Sequence, residues 1–91
     1  MKYLIACLGN IGVEYDNTRH NIGFKVADYL NEDLKGTFST QRLAQVSELR
    51  YKGRTMVVIK PTTYMNLSGK AVKYWMQQEK LPIVNVLVVL D

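Results

Sequence analysis

At 91 residues the chain is near the lower end of the length at which one hydrophobic core holds without disulfides or metals, so one domain, 1–91, is expected and a second is excluded. Apolar residues make up 47% and the mean hydropathy is −0.12, which argues for a folded globular core and against a disordered chain. A net charge of +4 and a pI near 9.3 lean toward an anionic partner, nucleic acid first.

The first element is a short continuous apolar run, Tyr3 to Leu8, which reads as a strand buried on both faces. It is too short for a signal segment or a membrane span, Gly9 and Asn10 break it, and nothing later approaches the length of a span. The lone cysteine, Cys7, lies inside this run, so no internal disulfide and no thiol metal cluster are expected, and the cytoplasm is the expected location. After the turn chemistry of Gly9-Asn10-Ile11-Gly12 and a polar connector holding Tyr15, Asn17 or Thr18 can cap a helix. That helix carries Ile22, Val26, Ala27, Leu30 and Leu34 at spacings of three and four, with Lys25, Asp28, Glu32 and Asp33 mostly opposite, and it should end near Gly36.

Ala44 to Lys60 reads as two strands joined at Lys52-Gly53. Pro61 is expected to stop the second strand, and Ser68 to cap a helix running to about Lys80, with Ala71, Val72, Trp75 and Met76 as its buried stripe. Pro82 enforces the stop, and Val84 to Leu90 is the most apolar segment, a further candidate for a central strand that runs straight into Asp91. The order β-α-ββ-α-β argues for an α/β domain with a mixed sheet and helices on both faces.

In such sheets ligands bind beyond the carboxyl ends of the strands. Asn10 follows the first strand, Asn66 follows the hairpin, Asp91 follows the last strand, and His20, the only histidine, opens the first helix. A histidine in the first helical turn feels the positive end of the helix dipole, which keeps the ring neutral and available as a base near pH 7. A carboxylate such as Asp91 accepting from the other ring nitrogen would fix its tautomer, and the amides of Asn10 and Asn66 can donate to a carbonyl or ribose oxygen. With Cys7 inside a strand and Ser68 better used as a cap, water is the expected nucleophile. Each residue also has a plainer reading: His20 as a surface or capping residue, Asn10 and Asn66 as turn residues, Asp91 as a chain end. A dinucleotide fold fails on spacing, because Cys7 stands where the first glycine of G-x-G-x-x-G belongs and the helix starts too late. Walker-type phosphate loops and metal-binding motifs are absent from the sequence.

Three ordered motifs then carry a resemblance that runs through all 91 residues. Cys7-Leu8-Gly9-Asn10-Ile11-Gly12, Asn17-Thr18-Arg19-His20-Asn21-Ile22-Gly23-Phe24, and Lys60-Pro61-Thr62-Thr63-Tyr64-Met65-Asn66-Leu67-Ser68-Gly69 closely resemble the bacterial peptidyl-tRNA hydrolase family. The resemblance implies hydrolysis of the ester joining a peptide to the terminal ribose of tRNA, recycling tRNA after abortive translation, without a cofactor or metal and without a membrane. It makes His20 the catalytic base, Asp91 its orienting carboxylate, Asn10 and Asn66 the amides that place substrate and water, and Tyr15 and Met65 walls of the crevice. Arg19 is a candidate phosphate contact, with a solvated first-turn residue as its alternative.

Cys7 and Ile11 depart from the family's usual Gly-Leu-Gly-Asn-Pro-Gly, making that turn less rigid and more crowded. Family members run to about twice this length and are expected to be monomers when complete, so the chain reads as an N-terminal portion, truncated after the last central strand. Alone, it is expected to expose an apolar strand edge and to associate. A non-catalytic RNA-binding member of the same fold, or an inactive fragment, is the competing reading. A structural or protein-binding domain is a third.

Overall fold

Alternation of side chains along the strands sets the architecture. The computed structural model describes residues 1–9, 22–62 and 67–89. Within them run β1 (Lys2–Cys7), α1 (Ile22–Asp33), β2 (Ser39–Gln41), β3 (Ala44–Tyr51), β4 (Arg54–Pro61), α2 (Ser68–Gln78), a single 3₁₀ turn (Ile83–Asn85) and β5 (Val86–Val89). The strands form one mixed sheet in the order β2-β3-β4-β1-β5. β1 is parallel to both β4 and β5, and the hairpin β3–β4 and the pair β2–β3 are antiparallel.

β1 is central in the sheet and α1 and α2 cover its two faces, so Leu4 to Cys7 are buried on both sides, and the continuous apolar run follows from that. Leu4 and Ala6 point to one face and join Val46, Val57, Ile59 and Trp75 of α2. Ile5 and Cys7 point to the other and join Val58, Leu49 and Ala27 of α1. The helices therefore cover opposite faces, as the sequence pattern implies. Both end in the same way. The Gly36 amide donates to the Asn31 carbonyl at 2.8 Å over a left-handed Lys35, and the Leu81 amide donates to the Met76 carbonyl at 3.0 Å over a left-handed Lys80. The hairpin turns on Lys52 and Gly53, both at positive φ, which gives the turn type whose twist matches the strands.

Four details differ from expectation. β2 is an extra strand in the Ser/Thr stretch; its three residues are all exposed, so no apolar alternation marks it. Pro61 closes β4 inside the ladder, opposite Ala44, rather than stopping the strand before itself; having no N–H it ends the pairing, and the next amide, Thr62, donates to the Leu43 carbonyl at 2.9 Å. Ser68 is the first helical residue of α2 and Leu67 holds the cap position, a shift of one residue. The last apolar segment begins with the 3₁₀ turn, so its strand is shorter than Val84 to Leu90, and among the described strands β5 is an edge with Leu87 and Val88 exposed. The exposed apolar edge anticipated from the sequence is this one.

Candidate active site

Three parallel strands put three carboxyl ends on one rim. The register pairs Ala6 with Ile59 of β4 and Cys7 with Val89 of β5, and the Leu8 amide donates to the Val89 carbonyl at 2.8 Å. Leu8 and Gly9, Pro61 and Thr62, and Val89 therefore share that rim. Both helices also begin there. α2 runs back along the sheet, since Glu79, just past its end, pairs with Lys2 at the start of β1.

α1 starts on the rim through Gly23. A Cβ at that position would fall onto the Leu8 backbone and lie 2.8 Å from the Val89 carbonyl oxygen. Only glycine lets the first turn of α1 approach the β1 and β5 ends so closely. Ile22, expected in the buried stripe, is 44% exposed, because Gly23 takes the sheet-facing place instead. Two helix N-termini aimed at one rim make it electropositive and suited to phosphate or oxyanion.

The seven side chains singled out from the sequence all lie outside the described residues. Asn10, Tyr15, Arg19 and His20 fall between Gly9 and Ile22, Met65 and Asn66 between Thr62 and Leu67, and Asp91 after Val89. The residues that flank them in the chain are the ones that meet on the rim.

The described side chains of the rim have defined chemistry. Cys7 is fully buried, and burial pushes its thiol up to about 12, against the opposing pull of Lys60. It is a packing residue, not a nucleophile at neutral pH. Lys60 Nζ donates to Asp28 Oδ1 at 2.6 Å and sits 4.2 Å from the Phe38 ring centroid. Phe24, Gln45, Lys60, Pro61 and Thr62 line a cavity of about 210 Å³ on the α1 side of the rim. Among the described residues no three His, Cys, Asp or Glu side chains group to hold a metal ion, and no helix is long and apolar enough to cross a membrane.

Gly23, Asp28 and Lys60 were not singled out in the sequence. Gly23 has a signal, since a glycine one residue inside a helix start marks close backbone approach. The Asp28–Lys60 pair has none, because its members are 32 positions apart and Asp28 belongs to the polar side of its helix.

Comparison with known proteins agrees with this geometry. The family described as peptidyl-tRNA hydrolase matches residues 4–91. Peptidyl-tRNA hydrolase from Cytophaga hutchinsonii is 59% identical over all 91 residues, which cover 48% of that protein. The one from Phocaeicola vulgatus is 56% identical over the whole chain and 49% of its own length. The crystal structure of peptidyl-tRNA hydrolase from Acinetobacter baumannii superposes with a TM-score of 0.91 at 30% identity, covering 98% of this chain and 46% of that one. The chain thus spans about half the length of the curated relatives it matches.

Proposed function

The chain belongs to the peptidyl-tRNA hydrolase family, and we propose that it carries the catalytic base and substrate-placing amides of an esterase that cleaves peptide from tRNA. The observation that carries this reading is the shared rim. Three strand ends and two helix starts meet there, and each is continuous in sequence with one of the residues the chemistry needs.

In this mechanism His20 takes a proton from water as the oxygen attacks the ester carbonyl. To act as the base the ring starts neutral in the resting state. Asp91 accepts from the other ring nitrogen, holds the tautomer and stabilises the imidazolium as it forms. Asn10 and Asn66 hold the water and the ester oxygens by neutral amide hydrogen bonds that do not compete with phosphates for charge. The proton on His20 then passes to the departing ribose oxygen, which leaves tRNA with a free hydroxyl and peptide with a free carboxylate. Tyr15 and Met65 wall the crevice and Arg19 meets a phosphate. The complete protein works as a cytoplasmic monomer without metal or cofactor, and residues 1–91 form the N-terminal portion of its α/β domain.

Release of peptide from a model peptidyl-tRNA by the full-length protein tests this reading. His20→Ala is expected to abolish release and to leave tRNA binding intact. Binding without turnover by the unsubstituted full-length protein would instead favour a non-catalytic RNA-binding member of the fold. No affinity for tRNA at two salt concentrations would leave a structural domain.

A further inference from the structure

Lys60 stands at the carboxyl end of β4, just before Pro61, on the strand that leads on to Asn66. Asp28 lies in α1, the helix that His20 precedes. Their charged atoms are 2.6 Å apart, and the Lys60 side chain is only 16% exposed while that of Asp28 is 60% exposed. A lysine has a long flexible stem and would ordinarily sample many positions. Here Asp28 holds the ammonium from one side, and the Phe38 ring meets it at 4.2 Å. The charge is committed within the protein, so Lys60 is poorly placed to serve as a free phosphate contact.

The pair completes the attachment of α1. At Gly23 the helix touches the ends of β1 and β5, and at Asp28 it is tied to the end of β4. α1 is also held to β3, where Ser47 Oγ donates to Asn31 Oδ1 at 2.6 Å, and packed on the sheet through Ala27; the Asp28–Lys60 pair, roughly 7.5 Å along the axis from Gly23, is the tie that joins it to the end of β4. We propose that the Asp28–Lys60 pair is a positioning device for the reaction: it locks the helix following His20 to the strand preceding Asn66, and so sets the separation of the base from the substrate-placing amide. This rests on the peptidyl-tRNA hydrolase reading. An ion pair with one well-exposed partner adds little to stability, so its loss acts on turnover more than on melting, because small misplacements of reacting groups are costly in rate.

The test is kinetic, in the full-length protein. Lys60→Met keeps the stem over Phe38 and removes the charge, and Asp28→Asn removes the partner. Each is expected to lower kcat on peptidyl-tRNA about tenfold, with KM within about twofold of the parent. The double variant should be no slower than either single, and Lys60→Arg should recover most of the rate. Lys2→Met, which breaks the pair with Glu79 at the opposite end of the sheet, should leave kcat unchanged. Should Lys60→Met not fold, Asp28→Asn at its exposed site carries the test alone. Parental kcat in the single variants, losses that multiply in the double, or an equal loss in Lys2→Met would overturn the positioning role. No turnover by the unsubstituted protein would overturn the functional reading itself, and this proposal with it.

Discussion

The two ends of the same sheet hold similar ion pairs and do different work. At the amino end Lys2 pairs with Glu79 at 2.5 Å, the Asn85 side-chain Nδ2 donates to the Lys2 carbonyl, and the β3–β4 hairpin closes on Lys52-Gly53. The hydrogen bond that Lys2 donates to Glu79 raises the lysine's pKa, but 41% of its side chain remains in solvent. These contacts close the fold. At the carboxyl end Lys60 pairs with Asp28 at 2.6 Å, with its stem buried, beside the places where the chain leaves three strands and enters two helices. The same lysine–carboxylate chemistry joins segments distant in sequence at both ends, but only the carboxyl-end pair lies beside the chain segments that carry the candidate site residues.

Gly23→Ala against Gly53→Ala is the largest contrast between the ends. The Cβ at Gly23 meets backbone that cannot yield, and a loss of about 3 kcal/mol is expected, while Gly53, at φ +79° with open space around it, should lose about 1 kcal/mol to backbone strain. Urea unfolding with matched m-values checks this, and equal losses would break the comparison.

Cys7 sharpens it next. Its folded pKa is raised from 9.0 to about 12, so the unfolded chain gives up the thiol proton first. The stability contributed by the buried neutral thiol is complete below pH 9 and drains away as pH climbs toward 12. At pH 10 the loss is about 1 kcal/mol relative to pH 8, and it should vanish in Cys7→Ala.

Salt dependence of tRNA binding separates the two rims electrostatically. Lys70 and Lys73 are exposed on the half of α2 nearest the carboxyl end, and each alanine variant should reduce the slope of log affinity against log salt by about 1. Lys52→Ala and Arg54→Ala, at the hairpin end, should leave the slope unchanged. The smallest effect belongs to Lys2→Met, expected to cost under about 1 kcal/mol in thermal or urea unfolding.

Much of this molecule is legible from local pattern. The apolar run of β1, the three-and-four spacing of α1 from Val26 on, the Lys52-Gly53 turn and the stripe around Trp75 each reflect forces acting within a few residues, and each appears where the sequence puts it, whereas Ile22 yields its place to Gly23. β2 was not legible because Ser39, Thr40 and Gln41 pair by backbone alone and bury nothing. The start of β5 was not legible either: the apolar run from Val84 opens with a 3₁₀ turn, and apolar character reports burial but not where backbone pairing begins. For the candidate site, the sequence supplies the residue types and their placement after strands or before helices. The meeting of their flanking residues on one rim comes from the parallel register of β4, β1 and β5.

By itself the sequence determined the described elements other than β2, the alternation of faces and the family, because these follow from side-chain periodicity and short motifs. Only the tertiary structure decided which strand ends Gly23 abuts and that Asp28 and Lys60 pair. Both depend on how closely α1 approaches the strand ends, a distance fixed by packing across the sheet and by no local preference of the chain.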